Sequence, residues 1–156
     1  MRKAWRWFGL AAVVLVLDYV SKIAVLESFA YGESRAVTPF FNLVLVFNKG
    51  AAFSFLSNAP GWQTLFFASI AVVACVVISY LLFKHESKNL FCSGLALILG
   101  GALGNLYDRL VYGHVVDFLD FHVAGSHWPA FNVADSAITV GAGILIVESF
   151  FQKTVK

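Results

Sequence analysis

Charged residues are scarce in this chain of 156 residues, where 11 Lys and Arg and 9 Asp and Glu together make up 13% of the total. A typical soluble domain is roughly one quarter charged. Hydrophobic residues reach 60%, including 16 Phe and 4 Trp, and a chain of this size has too little interior to bury so many apolar side chains. The composition excludes an ordinary soluble domain and a disordered chain. It predicts a small protein that crosses a membrane several times.

Cysteine is also rare, since the chain has only Cys75 and Cys92, and both lie in apolar runs. Two cysteines are too few for a small domain held together by disulfides. A disulfide or a thiol pair is one interpretation, but buried or lipid-facing apolar cysteines are favoured. The net charge is only +2 and the Lys and Arg residues are scattered, which argues against a nucleic-acid partner.

The common motifs of metal and cofactor chemistry are missing. His114, His122 and His127 are eight and five residues apart, and these spacings fit no metal-binding pattern such as H-E-x-x-H. We interpret them as surface histidines. Ser54 and Ser136 lie outside any G-x-S-x-G nucleophile motif, and the sequence has no Walker loop and no dinucleotide fingerprint. It therefore predicts neither a metal nor a cofactor.

Four stretches are long and apolar enough to cross a hydrocarbon core as helices, which takes about 20 residues each. They cover residues 7–26, 62–83, 90–106 and 131–151. The start resembles a signal peptide, but no clear cleavage site follows and the apolar pattern resumes after Asp18, so we expect a retained helix. Residues 1–156 then form a single all-α membrane domain built on a four-helix transmembrane bundle.

The orientation follows from the Lys and Arg residues in the short loops. With a cytoplasmic N-terminus, seven basic residues lie inside: Arg2, Lys3, Arg6, Lys84, Lys88, Lys153 and Lys156. Three lie outside: Arg35, Lys49 and Arg109. Both termini are therefore predicted to be cytoplasmic. The long segments 27–61 and 107–130 are predicted on the outer face, where we expect any chemistry to take place.

Residues 40–47 in the first outer segment are rich in β-forming residues and follow Pro39. They are too few to cross a membrane as a helix, so we interpret them as a strand, followed by a turn at residues 48–50. One alternative is a plain surface hairpin. The other is a small sheet on the membrane that holds a peptide by its edge. Periodicity does not separate the two.

Placing an ionisable residue in or beside a membrane span costs free energy, so such a residue is a candidate for a functional role. Asp18 and Lys22 are four residues apart, one turn along the same helix face. We favour a structural ion pair over a functional role, and Lys22, near the outer end of the span, is also within reach of a lipid head group. Gly100 and Gly104 form a G-x-x-x-G face, which close helix packing explains fully. Arg109 is either an anchor at the membrane interface or a bidentate hydrogen-bond donor to a carboxylate or phosphate.

Asp117 and Asp135 lie near the outer ends of the third and fourth spans, among apolar residues. Because these spans are consecutive and antiparallel, the two acids can meet at one depth. Two adjacent carboxylates share a proton: the charged member takes a proton from water, and the neutral member donates to a carbonyl oxygen. The alternatives are a lone interfacial acid, a charge favoured by a helix N-terminus, and a site for ion or proton transport.

Five short motifs follow one another along these spans and segments. They are Asp18-x-x-x-Lys22, Asn48-x-Gly50-Ala51-Ala52-Phe53, Gly101-Ala102-x-Gly104-Asn105-x-x-Asp108-Arg109, Val116-Asp117-Phe118 and Phe131-Asn132-x-Ala134-Asp135. Each is weak alone, but in this order they are specific, and they resemble the lipoprotein signal peptidase (signal peptidase II) family of bacteria over nearly the whole chain. One departure is Tyr19, where many members have Gln, and it affects only a local contact.

The resemblance implies an aspartyl endopeptidase of the bacterial inner membrane that cuts prolipoproteins before their diacylglyceryl-modified cysteine and releases the signal peptide. It implies that Asp117 and Asp135 are the catalytic pair. It also implies a set of residues that line or border the substrate site: Asn48, Gly50, Asn105, Arg109, Asn132, Asp18 and Lys22. Further implications are a small β-sheet cradle on the outer face, no metal, contact with membrane lipids and inhibition by globomycin-type antibiotics. Nothing requires more than a monomer.

Two functions without catalysis remain as alternatives. A small proton or ion carrier would use Asp18, Asp108, Asp117 and Asp135 as relay sites, and it predicts acids spread through the depth of the membrane. A structural subunit of a larger complex predicts no dependence on the two acids. Most of the acids cluster toward the outer end and the outer segments are long, which favours the peptidase. The sequence does not indicate which of the two catalytic acids is protonated.

Overall fold

The computed structural model describes residues 4–50 and 62–153, apart from the side chains of residues 152 and 153. Four long helices form a bundle: Trp5–Ser28 (α1), Trp62–Lys84 (α2), Asn89–Val111 (α3) and Val133–Lys153 (α4). All four are long and apolar enough to cross a membrane, which confirms the predicted four-helix transmembrane bundle. Several residues used above lie outside the described residues: Arg2, Lys3, Ala51, Ala52, Phe53, Ser54, Lys156 and the side chain of Lys153.

Most helix ends lie within two residues of the predicted spans. The end of α3 and the start of α4 are the two that bear on the polar residues, and polar or backbone contacts explain both differences. α3 continues to Val111 instead of ending at residue 106, because the charge of Asp108 is compensated by a buried lysine of α1. α4 begins at Val133 instead of residue 131, because Phe131 forms a β-bridge with Leu119. In both cases a contact with a distant part of the chain moves the boundary.

α3 is the central helix and packs against the other three. Its glycines permit the close approach. An added Cβ at Gly100 would lie 2.5 Å from a backbone carbonyl oxygen of α1, and one at Gly101 would overlap a backbone carbonyl oxygen of α4. Gly104 faces Asp18 of α1 and likewise has no room for a Cβ. The packing role predicted for Gly100 and Gly104 is therefore confirmed.

The main apolar core of the bundle lies between α1, α2 and α3. Its buried members are Trp7, Ala11, Ile78, Leu82, Cys92, Leu95, Ala96 and Leu99. Cys92 is buried, Cys75 is half-buried, and both are free thiols, as the apolar interpretation of the two cysteines predicts. In α1 and α3 this core precedes the segments that carry the buried charged residues.

A four-stranded antiparallel sheet lies at one end of the bundle, in the order β1–β2–β3–β4. The strands are Ser34–Thr38 (β1), Phe41–Asn48 (β2), Val115–Val123 (β3) and Ser126–His127 (β4). The strand predicted at residues 40–47 is confirmed, and it belongs to a sheet and not to an isolated hairpin, because β3 pairs with it on the side away from β1. Binding of a peptide by the sheet edge stays a prediction.

The sheet is attached to the bundle by a second apolar cluster. Val25 of α1 packs with Leu45 of β2 and with Val116 and Phe118 of β3. α1 and α3 end at the sheet and α2 and α4 begin there, so the other ends of the helices lie away from it. The first residues of β3 are thereby held over the ends of the helices, which is where the polar residues of α1, α3 and α4 meet.

Replacing Gly100 with Ala should lower the free energy of unfolding by about 1–3 kcal/mol, the usual cost of overpacking a filled interface. Gly143→Ala is the matched control, because an added Cβ there has no neighbour within 4 Å and Ala is favoured over Gly in a helix. Thermal unfolding of both variants in detergent measures the difference. Equal melting temperatures would contradict the packing role of Gly100.

Candidate active site

Lys22 lies at the centre of a buried polar cluster between α1 and α3, here called the Lys22 cluster: Lys22, Asp18, Asp108 and Asn105. The Nζ atom of Lys22 is 2.8 Å from Asp18 Oδ2 and 2.8 Å from Asp108 Oδ2, and it donates to Asn105 Oδ1 at 3.1 Å. Lys22 is only 2% exposed, and a charge buried to this extent requires partners. The structural ion pair favoured from the sequence is confirmed.

Asp108 is the member of the Lys22 cluster that the sequence analysis missed as a partner of Lys22. Its spacing of three residues from Asn105 puts both side chains on one face of α3. That spacing indicates that Asn105 and Asp108 share one environment. The choice of Lys22 as the common partner depends on the packing of α1 against α3, which the spacing does not show.

Two side chains cap the N-terminus of α4 and fix Asp135 in its first turn. Asn132 Oδ1 accepts a hydrogen bond from the Asp135 N–H at 2.9 Å, which is an N-cap contact. Asp18 Oδ1, which belongs to α1, accepts one from the Ala134 N–H at 2.8 Å. These contacts satisfy two of the roughly four free N–H groups at a helix start and join α4 to the Lys22 cluster.

Asp117 lies on β3, and two asparagine side chains hold its carboxylate. Asn48 Nδ2, from β2, donates to Oδ2 at 3.1 Å, and Asn132 Nδ2 donates to Oδ1 at 2.8 Å. The position of β3 is itself fixed, because Asp108 Oδ2 accepts the Val116 N–H at 3.0 Å. Asp117 therefore comes from a strand that follows α3, and not from a transmembrane segment itself.

Two amide side chains join the carboxylates of Asp117 and Asp135, which we call the acid pair. Asn105 Nδ2 donates to Asp135 Oδ1 at 2.7 Å. Asn132 Nδ2, which binds Asp117, also contacts Asn105 Oδ1 at 3.2 Å. The path from one carboxylate to the other thus passes through only two side chains. The fold brings the two acids together, and Asn105 and Asn132 orient them.

The environment of Asp117 favours its neutral form. Burial, and secondly the charge of Asp135, raise the pKa of the Asp117 carboxyl to about 7. Hydrogen bonds from Asn48 and Asn132 and the positive charge of Lys22 act in the opposite direction. Since an aspartate in water has a pKa of about 3.9, Asp117 keeps its proton up to near neutral pH. A neutral acid beside a second acid is the arrangement that shared-proton chemistry needs.

Arg109 borders the acid pair and holds Gly50, which lies in the turn after β2. Its Nη2 donates to the Gly50 carbonyl oxygen at 3.0 Å and its Nη1 to the Asn105 carbonyl oxygen at 3.1 Å. The Gly50 N–H donates in turn to Asn48 Oδ1 at 2.9 Å. The Nε atom is buried and lacks a hydrogen-bond partner among residues 4–50 and 62–153. Within that part of the chain, the guanidinium hydrogen-bonds backbone carbonyls and no carboxylate.

Two of the histidines and Tyr19 lie away from the acid pair. His127 Nδ1 is 2.8 Å from Asp120 Oδ1, and the His127 ring stacks on His122 with centroids 4.8 Å apart. Tyr19 packs edge-on against Tyr107 with centroids 5.5 Å apart. In the described part of the chain, no three His, Cys, Asp or Glu side chains are grouped as metal ligands. The Asp120–His127 contact is a feature of the sheet that the sequence analysis did not find.

An apolar groove of about 380 Å³ opens beside Asp135. Ile138 and Val140 of α4 form one side, residues 128–131 form the other, and Asn48 and Asp135 contribute polar groups. This groove has no signal in the sequence, because its two sides come from an irregular segment and a helix face whose residues are typical of any apolar stretch. The groove thus places an apolar surface next to Asp135.

Comparison with known proteins decides the family. The chain matches the family model described as signal peptidase (SPase) II over residues 10–151. The chain belongs to the signal peptidase II family. Relatives include a lipoprotein signal peptidase of Ralstonia nicotianae, 61% identical over 91% of this chain and 82% of that protein. Another, from Paraburkholderia phymatum, is 59% identical over 91% of this chain and 86% of that protein.

Two solved bacterial membrane enzymes have the same fold as this chain. One, determined by the in meso method, has a TM-score of 0.86 and 30% identity and covers 97% of this chain and 91% of its own. A second has a TM-score of 0.80 and 32% identity and covers 92% of this chain and 91% of its own. The protein is therefore a multi-pass membrane protein and an aspartic peptidase, and the carrier alternative is not supported.

Replacing Lys22 with Met should destabilise this signal peptidase II far more than the loss of a surface ion pair. The variant leaves Asp18 and Asp108 buried without their cation, which costs about 3–5 kcal/mol. Arg35→Met is the control, because the side chains of Arg35 and Glu33 are 54% and 34% exposed, and a solvent-screened pair contributes much less to stability than a buried one. Unfolding of both variants in detergent measures the free energies, and similar losses would refute the central role of Lys22.

Proposed function

We propose that the protein is an intramembrane aspartyl endopeptidase that removes the signal peptide from prolipoproteins by cutting before the diacylglyceryl-modified cysteine. The observation that carries the proposal is the acid pair, joined by Asn105 and Asn132 at the boundary between bundle and sheet. The names of the relatives supply the substrate class. The acid pair supplies a means of activating water next to a peptide bond.

In the proposed mechanism Asp117 is the acid and Asp135 is the base. The pKa of about 7 keeps a proton on Asp117 below neutrality, and this proton goes to the oxygen of the scissile carbonyl. Asp135 lies in the first turn of α4, where the helix dipole favours a negative charge, and it accepts a hydrogen bond from Asn105. Asp135 takes a proton from water, and the water oxygen attacks the carbonyl carbon. As the C–N bond of the tetrahedral intermediate breaks, Asp135 gives the proton it took from water to the leaving amine nitrogen, and Asp117 takes back a hydroxyl proton as the new carboxyl group forms.

The charge balance of the region also supports one proton on the acid pair. Two cations face four carboxylates here: Lys22 and Arg109 against Asp18, Asp108, Asp117 and Asp135. With every acid ionised, two negative charges would be left uncompensated in a largely buried site. Because an uncompensated buried charge is expensive, protonation of one acid is the least costly adjustment. Asp117 is the more buried of the two and is the natural place for that proton.

Five residues around the acid pair are the proposed substrate contacts: Asn48, Gly50, Asn105, Arg109 and Asn132. Their amide, backbone and guanidinium groups offer hydrogen bonds to an extended peptide once the substrate displaces internal contacts. Asp18 and Lys22 bind each other at 2.8 Å inside the Lys22 cluster, and neither is bonded to a member of the acid pair. We therefore assign these two residues to positioning α4, through the Asp18 contact with the Ala134 N–H, in place of the substrate contact that the family resemblance implied.

The proposed orientation puts the sheet and the acid pair at the outer face of the bacterial inner membrane and both termini in the cytoplasm. Arg6, Lys84 and Lys88 lie at the end of the bundle opposite the sheet, where the positive-inside rule expects them. A site at the outer surface meets a substrate that is anchored in the membrane by its lipid. The chain acts as a monomer surrounded by lipids, and globomycin-type inhibitors compete for the acid pair.

Asp117→Asn and Asp135→Asn should each lower the rate of prolipoprotein cleavage by about 10²–10⁴-fold or more, because each removes a proton-transfer group. Asp120→Asn is the matched control. It lies on β3 like Asp117 and is only 6% exposed, but its carboxylate contacts Asn42 and His127.

The assay uses purified protein in lipid with a diacylglyceryl-modified precursor, and circular dichroism shows whether each variant is folded. A near wild-type rate for either variant of the acid pair would refute the proposal. Equal cleavage of a precursor without the lipid would refute the substrate class and leave the acid pair intact.

The kcat/KM of the wild-type protein should fall as the pH rises above about 7, since Asp117 then loses the proton it donates. The same group links stability to pH. Its pKa is raised on folding, so its contribution to stability is full below the pKa of an unfolded aspartate, about 3.9, and is lost as the pH rises to about 7.

Asp117→Asn should therefore show a weaker loss of unfolding free energy between about pH 4 and pH 8 than the wild-type protein. A pH–rate profile and unfolding curves at several pH values check both statements. A wild-type rate that stays constant through neutrality would contradict the assignment of Asp117 as the acid.

A further inference from the structure

The first turn of α2 is fixed against the end of α3. The Thr64 hydroxyl donates to the Gly113 carbonyl oxygen at 3.1 Å. Gly113 belongs to the short connection between α3 and β3 and has a φ of +75°, a left-handed conformation that glycine adopts without strain. Thr64 therefore ties the start of α2 to a backbone with a defined shape, and the next turn of α2 is held close to α3.

Phe67 lies on that next turn, and Arg109 of α3 lies over its ring. Residues three apart share a helix face, so Phe67 is on the face that Thr64 turns toward α3. The guanidinium carbon of Arg109 is 5.7 Å from the centroid of the Phe67 ring, within the roughly 6 Å of a cation–π contact. Phe67 is half-buried, and Phe66 packs edge-on against it with centroids 5.3 Å apart. The ring thus has a supported position beside the guanidinium.

The Phe67 ring and the hydrogen bonds use different parts of the Arg109 side chain. A guanidinium is planar, its N–H groups point outward in that plane, and its face can stack on an aromatic ring. The edge of Arg109 donates to the carbonyl oxygens of Gly50 and Asn105, and its face meets Phe67. The ring therefore restricts the tilt of the plane, and the tilt decides where Nη2 points.

The direction of Nη2 matters because its acceptor, Gly50, is connected to the acid pair. The Gly50 N–H donates to Asn48 Oδ1 at 2.9 Å, and Asn48 Nδ2 donates to Asp117 Oδ2 at 3.1 Å. A guanidinium that turned away would release Gly50 and withdraw a donor from the proposed substrate site. An arginine side chain also loses rotamer freedom when it is fixed, so a contact that fixes it before the substrate arrives favours binding.

We propose that Phe67 is a positioning residue for substrate binding, whose ring holds the guanidinium of Arg109 in the plane that directs Nη2 toward a backbone carbonyl beside the acid pair. This inference rests on the proposed function, in which Arg109 contacts the substrate, and it adds α2 to the elements that build the site. Phe67 acts through Arg109 and takes no part in proton transfer. The competing explanation is a ring that only fills apolar space beside α3.

Phe67→Leu and Phe67→Tyr separate these two explanations. Leu is apolar and suits a membrane span but has no ring face, whereas Tyr keeps the face. Phe67→Leu should raise the KM for the diacylglyceryl-modified precursor about five- to tenfold and keep kcat within about twofold, because a contact made equally in ground and transition states appears in KM. Phe67→Tyr should keep KM within about twofold of the wild-type value.

Phe83→Leu is the matched control, because Phe83 also belongs to α2 but packs against Phe8 at the other end of the bundle, with ring centroids 5.1 Å apart. It should leave KM unchanged. Circular dichroism and thermal unfolding in detergent show whether each variant is folded. Phe67→Met also lacks a ring but is more flexible, and the same rise in KM is expected of it if Phe67→Leu does not fold.

A ring that only fills space would reduce the folded, active fraction of Phe67→Leu, which lowers kcat and leaves KM unchanged. That result would overturn the inference, as would equal rises of KM in Phe67→Leu and Phe67→Tyr. Asp117→Asn tests the proposed function separately. Loss of cleavage in Asp117→Asn together with a wild-type KM in folded Phe67→Leu would leave the proposed function standing and remove only the role of Phe67.

Discussion

The ammonium group of Lys22 is bound by Asp18 and Asp108 at 2.8 Å each, and each carboxylate also binds a backbone N–H of another element. Asp18 caps α4 at Ala134, and Asp108 holds the start of β3 at Val116. One cation thus joins two helices directly and reaches a third helix and a strand through its two partners. Removing one partner of a buried ion pair is strongly destabilising, so these contacts hold the four elements in one arrangement.

The acid pair depends on this arrangement. Neither Asp117 nor Asp135 belongs to the Lys22 cluster, but the cluster holds the two elements that carry them. Asp117 is carried by β3 and Asp135 by the first turn of α4, the two elements that the carboxylates of the Lys22 cluster hold. The same arrangement requires the glycines of α3. A side chain at Gly104 would occupy the place of the Asp18 carboxylate, and one at Gly101 would displace α4. Close helix packing and the geometry of the site are therefore one constraint.

The sequence predicts those parts of this structure that depend on local spacing. The length of the apolar runs predicts four helices, the four-residue spacing of Asp18 and Lys22 predicts their ion pair, and the Gly100–Gly104 spacing predicts close packing. The motifs of the family resemblance named Asn132 as a site residue, and nothing in its local sequence indicates that it caps α4 and bridges to Asn105. The choice of Asp108 as the second partner of Lys22, the extension of α3 and the groove were not predicted. Each of these depends on which distant segments come together, and a single sequence carries no local signal of that choice.

Asn105 lies between the charged groups of the Lys22 cluster and the acid pair. This separation keeps the ammonium of Lys22 out of direct contact with the carboxylates that titrate. A cation in direct contact with both members of the acid pair would stabilise two ionised carboxylates, and no proton would be shared. Asn105 instead accepts a hydrogen bond from Lys22 on its carbonyl side and donates one to Asp135 on its amide side. It holds Asp135 in place without adding a full charge, while burial keeps the pKa of Asp117 near 7. The charges of the Lys22 cluster position the elements, and in the proposed mechanism the neutral amides leave the proton of the acid pair free to move.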